Sequence, residues 1–423
     1  MHSKDSKLWD PRVRHINAVG QWEIEMRRGV LVIGSLALAC SSNGGDAAGG
    51  SGGSAGNAGG GAPSGGSAGA TAGGGAGGGS SGSAGSSAGT AGSAGSAGTA
   101  GSAGSAGSAG TAGTGGSGGA PGAWQCPVGP FDTNPIPDDA EAAQVAGVPP
   151  DDNYEENGWH NIEGPVWIDG ALYVSHITVV GAPPKARILK IQDGMVTVPF
   201  PEIGSNGLAV DGAGVLYATR HADGSISKLD LLDPGNVTPV VTTYEGNRFN
   251  SPNDLAIRSD GNVYFSDPDY QQPGDDPQGG ETRVYRIAPG GSSATSIDDS
   301  LDQPNGVTLS LDEMSLFVTY PNGLKKYALD AGGTPDAGTV VPGAPGGDGM
   351  GLDCAGNLYI TSGQGVVVLD PTGAEIDSIS LPISNGTTNV AFGGPERKTL
   401  YISHLGNDAS LYSVEVNIPG KPY

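Results

Sequence analysis

One pattern recurs six times from residue 163 onward, and it limits the fold more than any other feature of the chain. An Asn, Asp or Glu head leads an alternating apolar strand, then a Gly- or Asp-containing turn, then a second strand around Leu/Val-Tyr. The copies are EGPVWIDGALYVSH from Glu163, NGLAVDGAGVLYATRH from Asn206 and NDLAIRSDGNVYFSD from Asn253, followed by NGVTLSLDEMSLFVTY from Asn305, DGMGLDCAGNLYITS from Asp348 and NVAFGGPERKTLYISH from Asn389. Successive heads are 43, 47, 52, 43 and 41 residues apart. A period of about 40 to 50 residues with several short strands per unit is the signature of propeller blades. The sequence therefore predicts an all-β fold, a six-bladed β-propeller. A β-sandwich, the runner-up, would not place equivalent heads at so regular an interval.

Propeller topology gives the heads a common location. Each precedes the innermost strand of its unit, so all six lie at one end of the central channel. The second strand climbs back to that end and delivers the residues just past its Tyr: His176, Arg220, His221, Asp267, Tyr320, Ser362 and His404. A single Asn-Gly or Asp-Gly is above all a turn signal. Here the turns are already supplied by Gly170, Gly212, Gly214, Gly261 and Gly356, which leaves the heads for another task. Glu163 and Asp348 bring two negative charges and Asn253 and Asn305 bring amide carbonyls, an oxygen set that suits a hard divalent cation. With no Cys or His at a head, calcium is favoured over zinc. Histidines at strand ends are ordinarily structural; His404, in the closing unit, is the one expected beside the ring as a catalytic base, and His160 is left unassigned.

The remainder of the chain cannot join this core. From about Gly44 to Gly122 it is almost wholly Gly, Ser, Ala and Thr, which bury too little apolar area to offset chain entropy. Gly at every third position across residues 92–113 resembles collagen, but that stretch has no proline. It reads as a tether over 41–122, with a root-mean-square reach of about 50 Å. The formal net charge is -24. Six of the 20 Lys and Arg and five of the 44 Asp and Glu precede residue 123, leaving 14 basic against 39 acidic residues in 123–423. So acidic a surface excludes nucleic acid as a partner and suits divalent cations.

Met26 to Cys40, MRRGVLVIGSLALAC, has two arginines, an apolar stretch too short to span a bilayer and a small residue before cysteine. It is similar to a bacterial lipoprotein signal, with Ala37 where such signals usually have Leu. The similarity implies that residues 1–25 are an upstream extension with the true start at Met26, and that 26–40 is a signal peptide ending at a lipidated Cys40. The expected location is the cell envelope, at the outer membrane or cell surface, with 123–423 as a monomeric catalytic propeller. Cys126 and Cys354 are then the remaining thiols; a disulfide and two separate buried thiols both fit.

Taken together, EGPVW, SNGLAVDGAGVLYATRH, RFNSPNDLAIRSDGNVYFSDP, QPNGVTLSLDEMSLFVT, GDGMGLDCAGNLYIT and NVAFGGPERKTLYIS resemble the senescence-marker-protein (regucalcin) and gluconolactonase family, over residues 150–418. The resemblance implies a metal-dependent lactonase in which Glu163, Asn305 and Asp348 hold a divalent metal, with Asn253 as a further ligand or a substrate contact. It also gives Arg248 a substrate contact, and Asn206 and Asp267 flank the same mouth. Asp348 and His404 are the catalytic candidates, because no Ser nucleophile elbow is present. His176-Ile177 stands where the family often has Asp-Ile, and DPDY at 267–270 replaces the commoner DPPY. The expected substrate is a sugar-type lactone; an arylesterase or phosphotriesterase of the same fold and a non-enzymatic calcium-stabilised binding module are the alternatives.

Overall fold

The computed structural model describes residues 125–422, except 132–133, 151, 153, 155–158, 179–183, 272–276 and 408. The signal-like segment, Cys40 and the Gly/Ser/Ala-rich stretch lie outside the described residues. Those that are described form β-strands joined by turns, without a helix among them.

Four of the repeats each make a separate four-stranded antiparallel sheet, whose innermost strands are Ser205–Val210, Leu255–Ile257, Val307–Leu309 and Met350–Leu352. The first and last repeats share an eight-stranded sheet, joined where His160 and Asn161 of strand His160–Ile168 pair with Gly406 and Leu405 of strand Thr399–Gly406. Each innermost strand neighbours the next, and Thr387–Gly393 returns to His160–Ile168, so the sheets close into a circuit. The closure uses both ends of the described chain. Ala143–Gln144, from before the first repeat, is the outer strand beside Leu411–Glu415 of the last.

Alternation of apolar residues gives every sheet two buried faces, and the core lies between successive sheets. Val166 and Ile188 of the first repeat pack on Leu208 and Leu216 of the second. Tyr217 and Ile226 meet Phe265 and Tyr285 across the next interface. The last interface joins Leu411 to Ile162, Leu172 and Val174. Tyr264 and Tyr327, both fully buried, satisfy their hydroxyls on the Gly333 carbonyl at 2.6 Å and the Asp298 carboxylate at 2.5 Å. A buried phenol without such a partner would oppose folding.

The face opposite the heads is strapped by the chain ends. Cys126 is disulfide-bonded to Cys354, in the turn after Met350–Leu352. The Pro419 carbonyl accepts the Cys354 N–H at 2.8 Å, the Leu352 carbonyl accepts the Lys421 N–H at 2.8 Å, and Lys421 Nζ donates to the carbonyls of Leu309 at 3.2 Å and Ser310 at 3.1 Å. A cavity of about 110 Å³ occupies the channel between the heads and this strap; Gly164, Asp254, Asn389 and Lys421 are among its lining residues.

Candidate active site

The heads touch one another through their backbones. The Gly207 N–H donates to the Asn253 carbonyl at 2.6 Å, Gly306 N–H to the Asp348 carbonyl at 3.2 Å, and Gly349 N–H to the Thr388 carbonyl at 2.6 Å. This is why glycine follows those heads. A Cβ on Gly207 would lie 2.6 Å from the Asn253 carbonyl oxygen, and one on Gly306 would lie 2.4 Å from that of Asp348. The Gly in Asn-Gly here serves close approach, whereas Gly261, with φ of 90° and only an ordinary contact to Pro289 at 3.5 Å, serves the turn.

A ring of hydroxyls binds the units together beneath the heads. Ser175, Thr219, Ser266, Thr319, Thr361 and Ser403, each one residue before the strand end singled out by sequence, are all fully buried. Thr219 donates to the carbonyls of Gly207 in its own unit and Asn253 in the next, at 3.3 and 2.6 Å. Thr361 repeats this with Gly349 and Thr388, at 2.8 and 3.0 Å, and Thr319 with Gly306 and Asp348. Ser266 reaches the Asn305 carbonyl at 2.6 Å, and Ser175 bonds Ser205 at 2.7 Å. Sequence reasoning missed these residues, although a Ser or Thr stands at the same place in all six repeats.

The side chains above this ring form an acidic cluster that the protein itself leaves uncompensated. Burial, then the charges of Asp348 and Asp254, push Glu163 well above the carboxylate range, against hydrogen bonds from Gly164 and Asn389. Asp348 is raised by burial and by Asp254, against a hydrogen bond from Asn305. Asp254 is pushed up to about 7 by burial, although its carboxylate accepts the N–H groups of Leu255 at 2.9 Å and Val307 at 2.8 Å. Among the described residues, no lysine or arginine is a leading influence on any of the three. Oδ1 of Asp348, Oδ1 of Asn305 and both side-chain heteroatoms of Asn206 are buried without a hydrogen-bond partner. Unpaired buried oxygens and mutually repelling acids are costly alone, and a bound cation relieves both penalties.

The sequence model of the SMP-30/Gluconolactonase/LRE-like region matches residues 162–405, the span that carries these heads. The chain belongs to the SMP-30/gluconolactonase family. It is 31% identical over 282 residues to the gluconolactonase of Zymomonas mobilis, covering 58% of this chain and 76% of that one. It is 28% identical over 268 residues to pentonolactonase XacC of Haloferax volcanii, covering 58% and 82%. The solved structure of XC5397 from Xanthomonas campestris, described as a gluconolactonase, superposes with a TM-score of 0.55 at 28% identity, covering 69% of this chain and 98% of that one.

Within this SMP-30/gluconolactonase domain the remaining candidates fall into two groups. Asp267 and Arg248 are tied to the surrounding backbone, and strand alternation turns Asp267, like His404, to the side opposite the ring hydroxyl that precedes it. Asp267 Oδ2 accepts the Asn250 N–H at 2.9 Å, its Oδ1 is buried without a partner, and burial pushes it up to about 8. Arg248 donates to the carbonyls of His221 at 2.9 Å and Ala222 at 3.3 Å. His404 is not where sequence reasoning puts it. Its fully buried ring lies against Tyr412, and Nε2 accepts the Ser410 N–H at 3.1 Å inside the turn to the next strand. Strand alternation sends it to the side opposite Ser403, which bonds the Asn389 backbone, so a base role for His404 is withdrawn. His176 and His221 are likewise buried neutral groups, held low by burial at about 3 and about 4. Asp254 and Asn389 join the cluster without having been singled out as site residues; both follow from the repeat pattern, Asn389 as a head and Asp254 as the residue after one. Among the described residues no three His, Cys, Asp or Glu side chains close on one point, so any cation held here would need amide oxygens as well.

Proposed function

We propose that this protein is a metal-dependent hydrolase of sugar-type lactones, built on a six-bladed propeller. The observation that carries the reading is the set of buried acids Glu163, Asp254 and Asp348 with unpaired amide oxygens beside them and, among the described residues, no basic side chain as a leading influence on their charge. The matches to enzymes described as a gluconolactonase and a pentonolactonase support the substrate class. Glu163, Asn253, Asn305 and Asp348 are the residues that would hold the metal, and an all-oxygen set of two carboxylates and two amides fits calcium. When bound, such an ion polarises a carbonyl and makes nearby water more acidic.

The chain's own residues do the rest. Asp348, with an unpaired oxygen in the cluster, is placed to hold the attacking water and take its proton. Asn206 offers an unpaired amide N–H donor and carbonyl acceptor to sugar hydroxyls. Water's oxygen bonds to the carbonyl carbon, the ring C–O bond breaks, and the departing ring oxygen takes up a proton to give the hydroxy acid. Export as a lipoprotein, with residues 41–122 holding the domain clear of a membrane, belongs to the same proposal and is supported by the signal-like segment and the Cys126–Cys354 disulfide.

The test is turnover of aldonolactones by the full mature chain, beside aryl esters and phosphotriesters, with and without chelator. Lactone hydrolysis that is lost on chelation and restored by a divalent cation is expected. Preference for aryl esters or phosphotriesters would reassign the substrate, and absence of all turnover would leave a binding module.

A further inference from the structure

Tyr270 has no part in the core and no role in the site as described so far. Four tyrosines of the fold, Tyr264, Tyr285, Tyr327 and Tyr359, are fully buried, whereas Tyr270 is 40% exposed on the connection leaving strand Val263–Asp267 at the mouth. Its place is nonetheless fixed. The hydroxyl donates to the Gln303 carbonyl at 3.2 Å. Gln303, in the left-handed region with φ of 52°, is clasped to the same connection from the other side. Its Oε1 accepts the Asp269 N–H at 3.2 Å, and its Nε2 donates to the Asp269 carboxylate at 2.7 Å. Gln303 is two residues before Asn305, so this clasp carries the phenol to the cluster, where its hydroxyl has the Asn305 side chain as a hydrogen-bonding neighbour and lies in the field of Asp348.

The chemistry of that corner is one-sided. Once ionised, Glu163, Asp254 and Asp348 are acceptors, as is the unpaired Asn305 oxygen. A carbonyl oxygen gaining negative charge needs donors. The phenol, protonated at any working pH, supplies one, and rotation about its C–O bond is enough to turn the hydrogen from the Gln303 carbonyl to a bound substrate.

We propose that the Tyr270 hydroxyl is a catalytic hydrogen-bond donor to the carbonyl oxygen of the bound lactone, an inference that rests on the lactone-hydrolase reading above. As water's oxygen bonds to the carbonyl carbon, the π pair withdraws onto the carbonyl oxygen, and the Tyr270 O–H bond points at that growing charge. When the pair returns and the ring C–O bond breaks, the ring oxygen takes the proton that water gave up. Tyr270 shares its hydrogen throughout and never transfers it.

Tyr270→Phe in the full mature chain removes the O–H and keeps the ring. With D-glucono-1,5-lactone, kcat should fall about 10- to 100-fold while KM stays within about threefold. The melting temperature, and its rise on adding calcium, should match those of the wild type, which separates a lost donor from a damaged fold or cation site. A variant kcat within about twofold of an active wild type would overturn the assignment. So would a loss confined to KM, which would make Tyr270 an anchor for a sugar hydroxyl. A wild type that turns over no lactone would overturn the hydrolase reading and this assignment with it.

Discussion

Thr361 shows what one hydroxyl of the buried ring contributes. Valine at this position keeps the shape and removes the donor to the carbonyls of Gly349 and Thr388. Each carbonyl retains a second bond, from the N–H of Thr361 and of Gly349 respectively, so neither is orphaned. The expected cost of Thr361→Val is therefore about 1–2 kcal/mol, below the full penalty of a stranded polar group. Urea unfolding should show it, while Thr372→Val, whose hydroxyl reaches the exposed Asp370 carboxylate, stays within about 0.5 kcal/mol of wild type. Equal stability of Thr361→Val and wild type would mean that the units do not need this bond. The six hydroxyls stand in plain view in YVSH, YATR, YFSD, FVTY, YITS and YISH. Sequence reasoning favours the next residue because His, Arg and Asp carry richer chemistry, and only strand alternation shows that Ser and Thr are the ones turned to the neighbouring head. The positions of Asn206, Asn305 and Asp348 at the heads of their units were legible because recurrence exposes them. His404 was misread because its partner, the Ser410 N–H, depends on a turn that leaves no mark in composition.

Among the elements, the inner and second strands were readable from their period-two pattern, and the closure of the circuit was not. Ala143–Gln144 is two residues long and exposed, too short to show any alternation, yet it completes the last sheet. The disulfide was open in the sequence for a similar reason, since two cysteines 228 residues apart carry no geometric information until the turn after Met350–Leu352 and segment 125–131 are both placed. That bond now makes a prediction at this scale. It joins segment 125–131, which precedes the closing strand, to a turn already bonded to the carboxy-terminal strap through Pro419. Cys126→Ser is the cleaner probe, because Cys354 is buried and a serine there would add its own desolvation cost. Loss of the cross-link should lower unfolding stability by about 2–4 kcal/mol. Lactone turnover at a temperature where the variant is folded should stay within about twofold of wild type, because the heads lie at the opposite end of the channel. A large loss of kcat in a folded variant would contradict that separation.

At the scale of the whole molecule the open question is how a chain of net charge -24 tolerates three of its acids, Glu163, Asp254 and Asp348, buried within reach of one another's charge at the head end of its channel. Without a cation the physical answer is protonation. Asp254 keeps its proton to about 7 in the folded state, and Glu163 and Asp348 are raised in the same direction, whereas the unfolded chain releases these protons near the ordinary carboxylate range. Between roughly pH 4 and 7 the folded state thus binds more protons, and the stability of the metal-free protein falls as the pH rises through that window. His176 and His221 work the other way. Held at about 3 and about 4, they stay neutral in the fold while the unfolded chain protonates below about 6.5, so their contribution falls as the pH drops. The two sets overlap, and a single stability curve would mix them. On the proposed metal site calcium would separate them, because it would bind ionised carboxylates and leave the histidines alone: its stabilisation would include the release of protons from the cluster, at about 1.4 kcal/mol per pH unit for each proton displaced. Melting temperatures taken with and without saturating calcium should therefore differ more at pH 8 than at pH 5. Glu163→Gln should shrink the pH 8 difference by removing one of the charges that draws the ion in. A calcium effect that is equal at the two pH values, or larger at pH 5, would show that no dication sits among Glu163, Asp254 and Asp348, and the acidic cluster would then need a different occupant.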